Sequence, residues 1–293
     1  MHKIIVITGP TAVGKTKLSI ELAKKYDGEI INADAVQVYK GLDIGSAKIT
    51  EEEKEGIPHH LLDFKEVTEE YTIYHYQKDC REKIKEIQSR NKTPIIVGGT
   101  GLYIKAALYD YKLSEEKSTS TYDNLTNEEL YEELKKIDKD IIIDKENRRR
   151  LIRAINYYKE NNESINKNKT NKLLYNVIFI GLTTDRQVLY DKINKRVDEM
   201  ISQGLLEEVK SFYDKGIKTK PLLNAIGYRE IYNYLDGNCT KEEAIEKIKQ
   251  NSRHYAKRQY TFFNHQLPVV WFETDYNNFN NTIKKVESYI ENN

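Results

Sequence analysis

The sequence of 293 residues is poor in cysteine, nearly neutral, and free of long hydrophobic runs. Its two cysteines, Cys80 and Cys239, form no CxxC pair, so we expect neither a zinc site built on them nor a disulfide framework. No apolar stretch approaches the roughly 20 residues that a bilayer span requires, which excludes an integral membrane protein and a membrane partner. The 47 basic and 46 acidic side chains give a net charge of +1, which excludes a globally basic nucleic-acid binder. Any binding of nucleic acid must therefore come from local patches.

The first residues do not have the pattern of a secretion signal. Residues 3–8 form an apolar run that is too short for a signal peptide, and no small-residue cleavage site follows it. Because cysteines are also sparse, we expect a protein of the reducing cytoplasm.

What the sequence does contain is an alternation of short apolar strands and helical patterns. Residues 3–8 are continuously apolar and rich in β-branched side chains, which is typical of a strand buried on both faces. Residues 17–25 follow with apolar side chains at helical spacing. Further strands are predicted at 29–33 and 94–97, with a helix at 76–89 between them. This order predicts a parallel α/β sheet with right-handed crossovers.

The pattern changes in the middle of the chain. Residues 114–123 are polar and indicate a linker, and Thr126 followed by Glu129 is a capping-box signal that opens a helix. A second helix is predicted at 145–160, and residues 161–172 are polar and low in complexity. We therefore predict a helical excursion from the sheet.

The remaining elements return the chain to the sheet. They are a strand at 177–181, helices at 186–202 and 205–213, a long helix that opens with the capping-box pair Thr240 and Glu243 and runs towards Phe263, and a last strand at 268–272. We predict one α/β core made of residues 1–112 and 171–293. A short helical insertion, residues 113–170, interrupts it.

A glycine-rich turn between the first strand and the first helix carries the clearest chemical signal. It matches the pattern GxxxxGK[ST] in full, with the residues Gly9, Pro10, Thr11, Ala12, Val13, Gly14, Lys15 and Thr16. Glycines allow the backbone to form a nest of N–H donors, and the helix N-terminus adds its positive dipole end. Lys15 supplies a cation, and the Thr16 hydroxyl is a ligand for Mg²⁺. The sequence therefore predicts a phosphate cradle in a P-loop NTPase-like sheet flanked by helices.

The cradle alone does not establish nucleotide hydrolysis. Hydrolytic enzymes of this class place an acidic residue at the end of another strand to hold Mg²⁺ and water. Here the strand at 94–97 ends in the sequence GGTG, without a carboxylate. This leaves two interpretations open, a small-molecule kinase or an enzyme whose substrate is itself a diphosphate.

Two polar residues follow strands that end beside the cradle. Asp34 closes the second strand and Thr100 follows the third, and ligands of open α/β sheets bind beyond the carboxyl ends of the strands. A carboxylate in this place can bind Mg²⁺ or act as a general base. The alternatives are that Asp34 caps a turn and that Thr100 bonds its own backbone.

Several segments, in the same order along the chain, resemble the tRNA dimethylallyltransferase (tRNA isopentenyltransferase) family of the bacterial type. The resemblance runs from the N-terminus to about residue 272. It is carried by GPTAVGKT at 9–16, INADAVQVYKGLDIGSAK at 31–48, PHHLLD at 58–63, PIIVGGTGLYIKA at 94–106, RRRLIRA at 148–154, KRVDEMISQGLLEEV at 195–209, AIGYREI at 225–231 and YAKRQYTFF at 255–263.

The resemblance implies transfer of a dimethylallyl group from dimethylallyl diphosphate to the exocyclic amine of the adenine beside the tRNA anticodon. Gly9 to Thr16 would hold the diphosphate, with Mg²⁺ at Thr16, and a nucleotide such as ATP is another occupant of the cradle. Lys15, Thr100 and Arg229 would neutralise charge as the allylic C–O bond breaks. Asp34 would accept the proton of the amine.

The resemblance also implies two segments that contact the tRNA anticodon arm, in a protein expected to be a monomer. One is the base-recognition stretch of Asp34, Ala35, Val36 and Gln37 together with Thr100. The other consists of Arg149, Arg150, Leu151, Ile152 and Arg153 in the insertion.

Some features leave other interpretations open. Without the family, the arginines are a solvated basic face paired with Glu146 and Glu160. The family has serine where this chain has Ala35, and the insertion is shorter than usual. The alternatives to the transferase are a P-loop small-molecule kinase and a non-catalytic RNA-binding relative.

Overall fold

The computed structural model describes residues 3–111, 113, 122–166 and 171–293. Most of the linker predicted at 114–123 and part of the polar stretch at 161–172 lie outside these residues. The chain divides into two compact units, one with the residues up to Ala107 and from Tyr175 onward, the other with residues 108–174. The insertion predicted at 113–170 falls inside the second unit.

A single parallel sheet organises the first unit. Within the described residues it has six strands, in the spatial order β3-β2-β4-β1-β5-β6. Their bounds are β1 Ile4–Thr8, β2 Gly28–Asn32, β3 His59–His60, β4 Thr93–Val97, β5 Val177–Thr183 and β6 Val270–Glu273. All neighbouring pairs are parallel. The predicted α/β class with a parallel sheet is confirmed.

The strand register brings three chain segments together at one edge of the sheet. Val97 of β4 lies opposite both Ile7 of β1 and Asn32 of β2. Because parallel strands end at the same edge, the turns that follow β1, β2 and β4 emerge side by side. These turns carry the cradle, Asp34 and Thr100.

Helices cover the sheet and form the second unit. In chain order the described residues form α1 Lys15–Lys25, α2 Ile73–Ser89, α3 Gly101–Leu108, α4 Asn127–Ile137, α5 Arg148–Asn161, α6 Arg186–Ser202, α7 Leu205–Tyr213, α8 Lys220–Asn224, α9 Tyr228–Leu235, α10 Lys241–Gln266 and α11 Phe279–Glu291. Among these residues, no helix is long and apolar enough to cross a membrane.

The core of the first unit explains why the first four of the five β1 residues are apolar. All five of its residues are buried, since helices pack on both faces of the sheet. Ile5 and Ile7 pack with Leu18 and Leu22 of α1 and with Val286 of α11. Burial of one such side chain stabilises a protein by about 1.5–3 kcal/mol. The turn that follows β1 is therefore held on a rigid base.

The second unit has a small core of its own between α4 and α5. Thr126 and Glu129 form the predicted capping box at the start of α4, with reciprocal bonds of 3.2 and 2.7 Å. Leu130 and Leu134 of α4 are fully buried against Leu151 of α5. This core fixes the face of α5 that remains exposed.

Candidate active site

The cradle residues adopt the backbone that the glycine pattern predicts. Gly9, Gly14 and Ala12 have positive φ angles of 131°, 92° and 67°, a left-handed region that glycine enters without strain. A Cβ on Gly9 would lie 2.4 Å from the carbonyl oxygen of Leu182. Glycine at position 9 is therefore required both by conformation and by the close approach of β5.

The N–H groups of the cradle are left available. Within the described ranges, the backbone N–H groups of residues 11–14 donate to no carbonyl or side chain. The N–H groups of Lys15 and Thr16 lie in the first turn of α1, where a helix provides no acceptor for them. Several donors are therefore free at a helix N-terminus, which is the arrangement that binds phosphate.

The pKa of Lys15, in the cradle, depends on the burial of its side chain and on two neighbouring charges. Its Nζ donates to the carbonyl oxygen of Pro10 at 2.6 Å. Burial of the ammonium, and to a lesser extent the positive charge of Arg196, lower the pKa of Lys15 to about 7, while the negative charge of Asp34 opposes this. The site therefore brings two basic side chains together with a single carboxylate, and a diphosphate would supply further negative charge.

Asp34 both caps its turn and faces the cradle. Its Oδ1 accepts N–H bonds from Val36 at 2.8 Å and from Gln37 at 3.4 Å. Asn32 brackets it, because its Oδ1 accepts from the N–H of Asp34 at 3.0 Å and its Nδ2 donates to the Asp34 carbonyl at 3.1 Å. Across the described residues, Oδ2 of Asp34 makes no hydrogen bond. One oxygen therefore orients the carboxylate and the other remains for a substrate.

Thr100 connects the turn after β4 to the turn that carries Asp34. Its Oγ1 accepts from the N–H of Ala35 at 3.1 Å, and its own N–H donates to the carbonyl of Ala33 at 3.0 Å. Tyr255 of α10 lines the same crevice. Burial, and then the charge of Asp34, raise the pKa of Tyr255, so its hydroxyl stays protonated at neutral pH.

Two glycines allow these turns to come together. A Cβ on Gly98 would lie 2.2 Å from the carbonyl oxygen of Ala33, and one on Gly99 would lie 2.1 Å from Nε2 of Gln259. Gln259 instead donates from Nε2 to the Gly99 carbonyl at 3.1 Å. The sequence GGTG, which lacks a carboxylate, thus serves close packing against α10.

A crevice of about 510 Å³ joins these groups, and its size is that of a small-molecule site. All of its lining residues belong to the first unit. It is lined by most of the cradle, by residues 34–37, 45–47 and 97–100, by residues of α6 around Arg196, by residues 224–227 and 229, and by one face of α10.

Known proteins are similar to this chain in sequence and in fold. The chain matches the protein-family model described as IPP transferase over residues 37–266. The chain belongs to the IPP transferase family. A tRNA dimethylallyltransferase of Anoxybacillus flavithermus is 51% identical, with 99% of this chain and 96% of the relative covered. One of Geobacillus thermodenitrificans is 48% identical at the same coverage.

Solved structures support the membership. A tRNA isopentenylpyrophosphate transferase of Bacillus halodurans is 42% identical with a TM-score of 0.78, covering 100% of this chain and 96% of that one. A structure of a eukaryotic dimethylallyltransferase acting on tRNA is 30% identical with a TM-score of 0.87, covering 100% and 80%. The P-loop NTPase-like fold predicted for this IPP transferase is confirmed.

Arg196 lines the crevice, although no role was predicted for it from the sequence. It lies on α6, where the buried residues Leu189, Ile193 and Val197 form the apolar face. Burial lowers the pKa of Arg196, while the charge of Asp34 opposes this. Within the described part of this IPP transferase, its guanidinium makes no hydrogen bond. The sequence signal that could have identified Arg196 is a charged side chain beside the apolar face of a predicted helix.

Arg229, predicted to bind the diphosphate, reaches the crevice from the start of α9. Its side chain is half exposed, and its Nη2 donates to Oε1 of the buried Glu230 at 2.7 Å. Glu230 also accepts from the N–H of Gly227 at 2.8 Å and from Nδ2 of Asn251 at 2.7 Å. Glu230 therefore fixes both the turn and the arginine.

The predicted RNA-contacting stretch lies on α5 of the second unit and divides into two groups. Arg149 and Arg150 are exposed, and the guanidinium of Arg153 lies 5.8 Å from the ring centre of Tyr111. Leu151 and Ile152 are buried in the core of the unit, with exposures of 0% and 7%. Their side chains fix the helix, and the arginines are the members of the predicted stretch that reach the surface.

Proposed function

We propose that this chain transfers a dimethylallyl group to tRNA, releasing the diphosphate of the donor. One observation carries the proposal: a phosphate cradle with unused N–H donors shares a crevice with a carboxylate that has one unused oxygen. The choice of prenyl transfer as the reaction rests on the family, because the two relatives compared above are named tRNA dimethylallyltransferases. A small-molecule kinase is not favoured by these relatives.

In the proposed reaction, dimethylallyl diphosphate lies with its diphosphate on the cradle. The allylic C–O bond breaks and its electron pair leaves with the diphosphate. The N–H groups of residues 11–16, Lys15, Arg196 and Arg229 surround the place where this charge develops. Preorganised charge of this kind stabilises a departing anion more than the bound substrate.

The acceptor in the proposed reaction is the exocyclic amine of the adenine next to the anticodon. The amine nitrogen forms the new C–N bond and gives one proton to Oδ2 of Asp34. An aryl amine is a weak nucleophile, so placement contributes more than activation. The N–H groups of Val36 and Gln37 hold the carboxylate through Oδ1, and Thr100 and the neutral Tyr255 line the same crevice.

We propose Mg²⁺ as the metal of the reaction, bound at Thr16. The Thr16 side chain is exposed at the first turn of α1 and offers a hard oxygen ligand. Mg²⁺ commonly binds through one or two protein oxygens together with substrate phosphates and water. When bound, it would neutralise part of the diphosphate charge.

We propose that the tRNA anticodon arm is gripped through Arg149, Arg150 and Arg153, and that Ala35 to Gln37 face the neighbouring bases. The target adenine must leave its stack to reach the crevice. We propose that the protein is a monomer and, because the acceptor is tRNA, that it works in the cytoplasm.

Parallel incubations test the proposal. The protein is mixed with Mg²⁺, an unmodified anticodon stem-loop and either labelled dimethylallyl diphosphate or labelled ATP with small hydroxyl acceptors. We expect label from the allylic donor in the RNA and intact ATP. Label transferred from ATP to a small acceptor would support the kinase instead.

A further inference from the structure

The segment that follows β6 packs against the phosphate cradle although it is far away in the sequence. Residues 274–279, here called the backing segment, consist of the connection between β6 and α11 and the first residue of α11. None of its described residues lines the crevice. Its contacts with the cradle are therefore not contacts with a substrate.

Two hydroxyl groups of the backing segment donate to cradle carbonyls. Oγ1 of the buried Thr274 donates to the carbonyl of Val13 at 3.0 Å, and the hydroxyl of Tyr276 donates to the carbonyl of Ala12 at 3.2 Å. The ring of Phe279 covers Gly14 so closely that a Cβ there would lie 2.6 Å from its Cε2 atom.

The two hydrogen bonds determine where the cradle N–H groups point. A trans peptide is planar, and its C=O and N–H groups point in opposite directions. When Tyr276 holds the Ala12 carbonyl, the N–H of Val13 must point away from the backing segment. When Thr274 holds the Val13 carbonyl, the N–H of Gly14 must do the same. Both donors are thereby kept for an anion.

The cradle needs such support because its backbone is strained. Ala12 has φ +67°, a left-handed conformation that costs an L-residue roughly 1–2 kcal/mol. Relaxation of Ala12 would rotate the peptide that carries the Val13 N–H. The hydrogen bond from Tyr276 to the Ala12 carbonyl opposes this rotation.

The backing segment is itself held firmly. The N–H of Thr274 donates to the Thr183 carbonyl at 2.8 Å, and Oδ1 of Asp275 accepts from the N–H of Asn278 at 2.9 Å. The ammonium of Lys192 lies 3.8 Å from the ring centre of Tyr276. Side chains of α11 then join the core of the sheet. The backing segment can therefore hold the strained backbone of the cradle in place.

We propose that Thr274 and Tyr276 are positioning residues for the diphosphate, acting through the peptide groups of Ala12 and Val13; this rests on the function proposed above. The hydroxyls bind no substrate. They keep the N–H groups of Val13 and Gly14 directed at the phosphate oxygens, and so favour binding of an allylic or inorganic diphosphate.

The test removes each hydroxyl without changing the shape of the side chain. The variants are Thr274→Val and Tyr276→Phe, with Thr274→Ser as the conservative variant that keeps a hydroxyl. Tyr289→Phe is a matched control, because the Tyr289 hydroxyl of α11 has no hydrogen-bond partner among the described residues and its ring packs on Phe272. Binding of inorganic diphosphate is measured by calorimetry, and KM is measured for the donor and for the stem-loop.

We expect Thr274→Val and Tyr276→Phe each to weaken diphosphate binding about fivefold, the equivalent of one ordinary hydrogen bond. KM for the donor should rise in parallel, KM for the stem-loop should stay constant, and Thr274→Ser and Tyr289→Phe should behave like wild type.

Unchanged diphosphate affinity in both hydroxyl-deleted variants would overturn the proposal. So would an equal rise in KM for the stem-loop, or failure of serine to restore binding, since both indicate general destabilisation. The binding measurement needs no turnover. A wild-type protein that binds diphosphate but transfers nothing to RNA would contradict the proposed function and leave the positioning role intact.

Discussion

The hydroxyl of Tyr228 donates to Oε1 of Glu208 at 2.5 Å, and this contact joins α9 to α7. Oε2 of Glu208 accepts from the N–H groups of Asp43 and Ile44 at 3.1 and 2.7 Å, and Oε1 accepts from Gly45 at 3.1 Å. The turn that Glu208 caps continues to Ser46 and Ala47, whose carbonyls accept from Gln37. One carboxylate thus connects the segment of Arg229 to the proposed base-recognition stretch.

Replacement of Glu208 by Gln should destabilise the fold and weaken RNA binding. An amide offers one acceptor oxygen where the carboxylate accepts from four donors, so the part-buried N–H of Ile44 or of Gly45 loses its partner, at about 1–3 kcal/mol. Urea unfolding and stem-loop titration measure the two effects. Tyr228→Phe, which removes one donor only, should have the smaller effect. Equal stability and RNA affinity in Glu208→Gln and wild type would contradict this role.

Replacement of Asp34 by Asn should separate binding from chemistry. Asparagine keeps an acceptor oxygen for the N–H of Val36, so the turn should remain folded. Loss of the base should lower the transfer rate on the order of 10²–10⁴-fold. Single-turnover rates and diphosphate calorimetry would show a slow step with normal donor binding. A variant with full transfer activity would remove the general-base assignment.

Binding of diphosphate near pH 8 should be accompanied by uptake of a proton at Lys15. In the free protein burial lowers the pKa of Lys15 to about 7, so the group is charged below that pH and largely neutral above it. A bound diphosphate favours the charged form and raises this pKa again. Calorimetry in buffers of different ionisation enthalpy measures the uptake, with Lys15→Ala as control. Identical uptake by both proteins would contradict the assignment.

Replacement of Arg196 by Gln should weaken diphosphate binding by about 10–100-fold, the range expected for a charge-assisted hydrogen bond. It should also move the proton uptake of Lys15 to higher pH, because the charge of Arg196 contributes to the lowered pKa of Lys15. A weaker affinity together with a shifted pH profile would show that Arg196 and Lys15 act on the same bound diphosphate. A weaker affinity without a change in the pH profile would place Arg196 outside it.

Replacement of Arg150 by Ala should weaken stem-loop binding and reduce the salt dependence of the affinity by about one counterion, without changing KM for the donor. Arg148 provides the contrast, because its guanidinium donates to the carbonyls of Leu125 and Tyr122 at 2.6 Å each. Arg148→Ala should therefore destabilise the second unit. An unchanged salt slope in Arg150→Ala would exclude the phosphate contact.

Much of the fold could be predicted from local patterns. The helices at 186–202 and 205–213 have the predicted bounds, and the capping box of Thr240 and Glu243 opens α10 as expected. The two-residue strand β3 and the five-residue helix α8 could not be predicted, because elements of this length show no hydrophobic period. The helix α9 was not predicted although its buried residues Tyr228, Ile231 and Tyr232 recur at helical spacing. β2 ends at Asn32, before Asp34, since Asn32 already bonds the following turn.

The candidate site was predictable where its residues follow strands and unpredictable where helices from elsewhere supply them. The cradle, Asp34 and Thr100 lie at strand ends that the sheet must bring together. Arg196, Tyr255 and the backing segment reach the site through contacts between distant parts of the chain, and no local spacing encodes those. Their positions depend on how α6, α10 and α11 pack on the finished sheet.

The most direct measurement of the central claim follows both products of one reaction in time. Inorganic diphosphate and prenylated adenine are quantified after the protein is mixed with dimethylallyl diphosphate, Mg²⁺ and the unmodified stem-loop. If the cradle holds a leaving group, the two products should appear in equal amounts, on the adenine next to the anticodon and without any need for ATP. Absence of prenylated adenine, with ADP formed from ATP in the presence of a small acceptor, would contradict the account.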